Sequence, residues 1–316
     1  MQSFQTLLPE QQYCAVALGF FDGVHRGHRK VLGGAAAQRK SGLLPVCLTF
    51  AESPKAIISG KALPFLMTRG DKLRALEQIG IEHVFFTDFR AIMHLSAREF
   101  FEQILVNTLK AKKLYCGFNY RFGKNAEGDT DTLRSLCDEF GVELTVVPPE
   151  KDSGEVVCST LIKNLISEGD VRRANDLLCG TFGVKEVIHH GKHLGHTLGA
   201  PTINQPMTKG LIAPKFGVYA SVVTLEDGKV YCGVTNIGVK PTVGGKTPLW
   251  ETWMPQYKGG EIYGQTADVR LIEFIRAERK FESLEALKEE ILRNGQKAQE
   301  IYREMNADPT VFNKYL

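Results

Sequence analysis

The chain changes its hydrophobic rhythm near residue 180. Before that point, short apolar runs alternate with amphipathic stretches. "CAVALGF" (14–20), "LLPVCLTF" (43–50), "EHVFFTDF" (82–89), "KLYCGF" (113–118) and "VELTVV" (142–147) each read as a buried strand. Between them, 28–40, 68–80, the stretch opening at Ser96 and 130–140 read as helices. Thr68 is placed as an N-cap and Gly80 as a stop, and Ser96 with Glu99 forms a capping box. Strands alternating with helices imply parallel βαβ units in a doubly wound, Rossmann-like α/β sheet. Such sheets bind ligands at the carboxyl ends of their strands.

The stretch 159–180 reads as two short helices. Beyond it, "GVYASVVTL", "KVYCGVTNIG" and "ADVRLIEFI" are β-rich and separated by Gly, Pro and Asn, which suits a compact antiparallel barrel or sandwich. Residues 282–305 close the chain as an amphipathic helix, with an interruption expected near Asn294-Gly295. The pattern predicts two domains, 1–180 and 181–316, divided near Gly180–Gly183.

Composition narrows the class. A chain of 316 residues is comfortable for two cores, and 43% hydrophobic with 24% charged residues is ordinary for a globular protein. A net charge of +3 without a long Lys/Arg block argues against nucleic acid as a partner. "MQSFQTLLPEQQY" lacks the pattern of a signal peptide, and no apolar run reaches membrane-spanning length. Seven scattered cysteines without a C-x-x-C pair point to reduced thiols in a cytoplasmic protein.

Two constellations carry chemistry. In "ALGFFDGVHRGH" (17–28), Gly19, Phe21, Asp22 and Gly23 lead from a strand into a turn, and Gly27 leaves space for an approaching group. His25 and His28 fall on one helix face, beside the unsatisfied N–H groups of a helix start. That arrangement favours phosphate. Zinc sites on helices use His at i and i+4 with a nearby Glu, which "HRGH" lacks; two surface histidines are the plain alternative. Further on, "GFNYRFGKNAEGD" (117–129) offers Asn119, Phe122 and Asp129 after a strand. Asn beside aromatic rings suits a ring that is stacked and hydrogen-bonded, although Gly/Asn-rich loops are common. In "VCSTLIK" (157–163), Ser159 and Thr160 read as helix caps, with Lys163 one turn in.

The second constellation is "GKHLGHTLGAPTIN" (191–204), with Gly191, Gly195, Gly199 and Pro201. It is no Walker loop, since no Gly-Lys-Ser/Thr ends it. Thr202 and Asn204 alternate on a strand, so their oxygens share a side and suit Mg²⁺. Glu251, in "LWETWM", is a carboxylate among apolar and aromatic residues and a candidate general base; a solvated strand face is the alternative. Arg276 and Glu278 lie in "IRAERKF" (275–281).

These motifs, in this order over essentially the whole chain, resemble the bacterial bifunctional riboflavin kinase/FMN adenylyltransferases (FAD synthetases). The resemblance implies a nucleotidylyltransferase domain followed by a β-barrel kinase domain with a C-terminal helix. ATP with Mg²⁺ and the flavins riboflavin, FMN and FAD would be substrates and products. Glu251 would be the kinase base, and His25 and His28 would stabilise charge in adenylyl transfer. Gly19, Phe21, Asp22, Gly23, Gly27, Asn119, Phe122, Asp129, Ser159, Thr160 and Lys163 would bind nucleotide and FMN. Gly191, Gly195, Gly199, Pro201, Thr202, Asn204 and Arg276 would serve the kinase, with Thr202 and Asn204 on the metal. Lys163, Cys158, His196 and Ala200 depart from the family pattern, as does "TFAESPK", which lacks a histidine. Small molecules are the expected partners of a cytoplasmic monomer or weak homo-oligomer. Alternatives are a member with one active module, a non-catalytic flavin-binding regulator, or a transferase for another substrate.

Overall fold

The computed structural model describes residues 12–178, 180–190, 200–239 and 248–307. Gly191, Gly195, His196, Gly199 and the Pro241-Thr242 pair lie outside the described residues. The chain divides into two compact units, Met1–Ser159 and Thr160–Leu316.

In the first unit the elements run β1 (Cys14–Leu18), α1 (Arg26–Ala37), β2 (Leu44–Phe50), α2 (Pro54–Ser59), α3 (Arg69–Ile79), β3 (His83–Thr87), α4 (Phe89–Ile92) and α5 (Ala97–Phe100). They continue with β4 (Ala111–Gly117), α6 (Thr130–Phe140), β5 (Glu143–Val147) and the short pair β6 (Lys151–Asp152) and β7 (Glu155–Val156). The expected caps are present. The Thr68 side chain accepts from Asp71 N, Gly80 is left-handed, and Ser96 and Glu99 close a capping box. After α5 the helix widens into a π-helical stretch, Phe101–Thr108.

Five parallel strands form the sheet in the order β3-β2-β1-β4-β5. The winding reverses between β1 and β4, which places a crevice at their carboxyl ends. One sheet face packs on Phe100, Phe101, Leu105 and Leu133, the other on Val31, Leu32 and Leu76.

The second unit opens with α7 (Ser159–Glu168, its first residue shared with the boundary) and α8 (Val171–Leu178). The boundary by compactness thus precedes the two helices, upstream of the change of texture at Gly180–Gly183. The physical reason is Asn175 on α8: its Nδ2 donates to Leu271 O at 2.8 Å and its Oδ1 accepts from Phe182 N at 2.9 Å. Those two bonds tie α8 to the strands that follow.

Strands β8 (Gly183–Val187), β9 (Thr202–Pro206), β10 (Gly217–Leu225), β11 (Val230–Val239), β12 (Pro248–Trp253) and β13 (Thr266–Arg276) form an antiparallel sheet ordered β8-β13-β10-β11-β12-β9. The sheet curls into a nearly closed barrel. His189 N donates to Asn204 O at 2.8 Å, and Gln205 Nε2 donates to Glu186 O (2.7 Å) and Ala267 O (2.8 Å). Inside, Ser221, Thr235 and Thr252 link hydroxyl to hydroxyl at 2.8 and 2.9 Å beside the buried Trp250.

Helix α9 (Leu284–Ala307) lays Ala298, Ile301 and Met305 on Val218, Ala220 and Val222 of the barrel's outer face. It runs through Asn294-Gly295 without the expected interruption. Gly295 is there for closeness, since a Cβ would stand 2.7 Å from the Trp253 ring. Alanine is the better helix former by about 1 kcal/mol, but overpacking costs about 1–3 kcal/mol. Gly295→Ala should therefore lower the thermal midpoint of the second unit; a rise in a melting experiment would refute the close packing.

Candidate functional site

The turn from β1 to α1 is the centre of the first unit's site. Gly19 leaves room for the Phe21 ring, which a Cβ would approach to 2.9 Å. The backbone then enters the left-handed region at Phe21 (φ 53°), Gly23 (φ 93°) and Val24 (φ 43°). Glycine adopts this freely, whereas a β-branched residue such as Val24 does so only under constraint. Asp22 supplies constraint, because its Oδ1 accepts from Leu66 N at 2.7 Å and its carbonyl accepts from Ser159 Oγ at 2.8 Å.

His25 is the N-cap of α1, and its Nδ1 accepts from His28 N at 3.3 Å. A neutral imidazole that accepts at Nδ1 carries its proton on Nε2, so His25 presents an N–H donor beyond the cap. His28 stacks on His25 with ring centroids 3.5 Å apart, and Phe21 meets His28 edge-on at 5.2 Å. Burial pushes His25 down to about 4, with Asp22 opposing. Burial, then His25 and Lys72, hold His28 well below its usual range. Both rings are neutral near pH 7, and the buried His28 Nδ1 has no hydrogen-bond partner among the described residues. Gly27, in the first turn of α1, meets nothing closer than 3.4 Å from its would-be Cβ.

Leu18 of β1 is in register with Cys116 of β4, so the histidine turn and the segment after β4 leave the sheet at the same edge. Asn119 is exposed there. Phe122 is not: it is buried against Phe100 and Tyr120 and bridges to Gly128, whose missing side chain makes room for it. The exposed ring at this edge is Phe118, 44% accessible, which the motif reading passed over. Asp129 caps α6, its Oδ1 accepting from Asp131 N (3.1 Å), Thr132 N (2.9 Å) and Thr132 Oγ1 (3.0 Å). Ser159 is the first residue of α7 rather than its cap, with its hydroxyl given to the Asp22 carbonyl. Thr160 and Lys163 follow in the same helix, in the second unit.

In the barrel, Pro201 precedes β9, on which Thr202 and Asn204 share a face, as alternation requires. Asn204 Nδ2 donates to Thr202 O at 3.5 Å. Glu251 on β12 stands directly opposite Asn204 on one side and Asn236 of β11 on the other. Three polar side chains thus form a row across three strands. Asn236 escaped the sequence reading because only strand pairing reveals it. Nearby, Gly238 gives space to the Glu278 carboxylate, which a Cβ would strike. Arg276 ends β13 in line with this row, because Val218 of β10 pairs with both Arg276 and Asn236. Its Nε lies 3.0 Å from the buried Glu290, which also pairs with Arg279 (2.7 Å), and its guanidinium lies 5.5 Å from the Phe281 ring centre. Among the described residues no group of three or more His, Cys, Asp or Glu could hold a metal; the hard oxygens of Thr202 and Asn204 are of another kind.

A neutral histidine turn at the switch point of a parallel sheet, and a carboxylate set among amides on an antiparallel barrel, divide the candidate chemistry between two modules of a transferase. Family models agree module by module: FAD synthetase matches residues 7–161 and riboflavin kinase matches 178–302. The Escherichia coli K12 bifunctional riboflavin kinase/FMN adenylyltransferase is 34% identical, covering 92% of this chain and 94% of its own. The Bacillus subtilis protein of that name is 32% identical with 92% of both chains covered. A solved structure described as a macrolide-efflux protein from Streptococcus pneumoniae superposes with a TM-score of 0.83 at 28% identity, over 92% of this chain and 95% of that one. The chain belongs to the bifunctional riboflavin kinase/FMN adenylyltransferase family. It phosphorylates riboflavin to FMN with ATP and adenylylates FMN to FAD.

The buried histidines set a pH dependence. Between about 4 and 6.5 the unfolded chain protonates His25 while the folded one does not. Stability of the ligand-free protein should therefore fall as pH drops through that window. His25→Asn, which keeps a capping side chain, should flatten this dependence in urea unfolding; an unchanged slope would show that His25 is not held neutral.

Proposed function

We propose that residues 1–180 carry adenylyl transfer and residues 181–316 carry the kinase step, with the site residues dividing accordingly. The observation behind the first assignment is the neutral histidine pair at a helix start, with the buried Nδ1 of His28 lacking a partner. FMN brings its own anionic phosphate as nucleophile, so no general base is required. The phosphate attacks the α-phosphorus of ATP and pyrophosphate leaves. His25, through Nε2–H, and His28 donate to phosphate oxygens as charge builds. Gly23, Asp22 and Phe21 shape the turn, and Gly19 accommodates it. Gly27 supports the same reading. Glycine in a helix costs roughly 0.5–1 kcal/mol against alanine, and no described neighbour needs the space; an approaching phosphate would. Asn119 and the exposed Phe118 are suited to the flavin ring, Phe122 and Asp129 to supporting that loop. Ser159 steadies the turn through Asp22, while Thr160 and Lys163 serve the phosphates, Lys163 as a point charge without an arginine's fork.

In the kinase step Glu251 takes the proton of the ribityl 5′-hydroxyl as that oxygen attacks the γ-phosphorus and ADP leaves. Asn204 and Asn236 flank Glu251 and restrict its swing. The oxygens of Thr202 and Asn204 are hard ligands that would hold the Mg²⁺ accompanying ATP, which would supply neutralisation of phosphate charge. Pro201 and the glycines at 191, 195 and 199 would bring backbone close to the nucleotide. Arg276, in register with the row through Val218, serves the kinase's nucleotide or flavin, and its pairing with Glu290 ties the segment that carries Glu278 to α9.

Riboflavin, FMN and ATP are the proposed partners, without nucleic acid or membrane, for a monomer or weak homo-oligomer in the cytoplasm. The mild net charge of +3 and the unpaired state of Cys14, Cys47, Cys116, Cys137, Cys158 and Cys232 support this. No described helix is long and apolar enough to cross a membrane.

Chromatographic separation of flavins tests the division of labour. His28→Ala should lower FAD formation from supplied FMN by about 10²–10³ and leave FMN formation from riboflavin intact. Glu251→Gln should do the reverse. Loss of both activities in either folded variant would refute the assignment.

A further inference from the structure

Lys72 on α3 is 6% exposed, although lysine is seldom buried without a partner. Its Nζ donates to the carbonyl of Phe20 at 2.8 Å and stands 4.4 Å from the Phe20 ring centre. Thr49 Oγ1 donates to the same carbonyl at 3.0 Å. Phe20 is the last residue before the backbone turns left-handed at Phe21 and Val24. Such positions are costly and persist only where the surroundings over-determine them. Downstream the Asp22 clamps hold the turn; upstream, the two donors on the Phe20 carbonyl hold it.

An ammonium is an odd choice for this job if stability alone mattered. Burial lowers it to about 8, against the raising effects of Cys47 and Asp22. Thr49 already satisfies the carbonyl. What the ammonium adds is a charge-assisted bond and a positive field on His28, which disfavours imidazolium there. The charged or titratable groups that face it are Asp22 on the turn, His28 on α1 and Cys47 on β2.

We propose that Lys72 is a positioning residue for adenylyl transfer: its ammonium fixes the Phe20 carbonyl, and with it the Phe21–Val24 turn that aims His25 and His28 at the reacting phosphates. The assignment rests on the phosphate role given to the two histidines. It concerns orientation and not substrate binding, so it belongs to kcat.

The full-length chain tests it, with kinase activity as the internal control for folding. Lys72→Met should lower kcat for FMN adenylylation by about tenfold to a hundredfold, with KM for FMN and ATP within about twofold. Riboflavin phosphorylation should not change, and Lys72→Arg should recover most of the lost kcat. Unchanged kcat in Lys72→Met, or a rise in KM alone, would overturn the proposal. If Lys72→Met fails to fold, Lys72→Arg decides: a folded, active enzyme supports the role of the charge, and a folded enzyme as slow as His28→Ala refutes it. If neither folds, Lys72 is a stability residue and the proposal fails. His28→Ala run alongside separates the two levels. Full adenylylation by His28→Ala would remove the histidine reading itself, whereas a dead His28→Ala beside an active Lys72→Met removes only the role of Lys72.

Discussion

A parallel sheet needs a crossover after every strand, and at one strand the crossovers must change sides. In this protein that strand is β1, between β2 and β4. The change of sides opens a crevice between the carboxyl ends of β1 and β4, and the turn that begins β1's own crossover lines it. Its backbone does so in an unfavourable conformation, held by buried polar bonds to Phe20 and Asp22. The histidines, the helix start and the strained turn are therefore one construction. None would be in place if β1 were an edge strand.

In the proposed division the two modules would handle the same nucleotide with opposite means. The first holds its imidazoles neutral by burial and would let the substrate bring the charge. The second would bring a carboxylate to a substrate hydroxyl that has to lose a proton. This difference follows from the nucleophile: a phosphate is already ionised, while a primary alcohol is not. A parallel sheet with helix N-termini at one edge suits the first demand, and an antiparallel barrel that sets side chains from three strands in a row suits the second.

Much of this was legible from the chain because the signals are local. Thr68, Gly80 and the Ser96–Glu99 box mark helix ends through bonds made within a few residues. Strand alternation put Thr202 and Asn204 on one face. What failed to show depends on distant partners. Phe122 and Phe118 are both aromatic and both follow β4, and only the bridge to Gly128 decides which is buried. The motif alone does not show that Asp129 caps α6, because capping a helix and binding a substrate use the same carboxylate and the bonds to its Oδ1 appear only in the fold. Gly295 read as a break, since nothing local announces the Trp253 ring. Arg276 is marked by its motif, but its partner Glu290 on α9 and its alignment with Asn236 through Val218 appear only in the fold. Lys72 reads as a solvated helix position until α3 is packed.

The row Asn204–Glu251–Asn236 is defined by pairing, not by proximity in sequence. Side chains on a strand alternate, so a slip of one residue in β12 would carry Glu251 into the barrel interior and put Trp250 or Thr252 in its place. Substitutions in the loops around it leave the row standing. A single-residue insertion or deletion within β12 would dismantle it without altering any of its three residues. The kinase module is thereby far more exposed to changes of length than to changes of composition, and natural variation in this barrel should accumulate length differences in its loops and almost none in β9, β11 and β12.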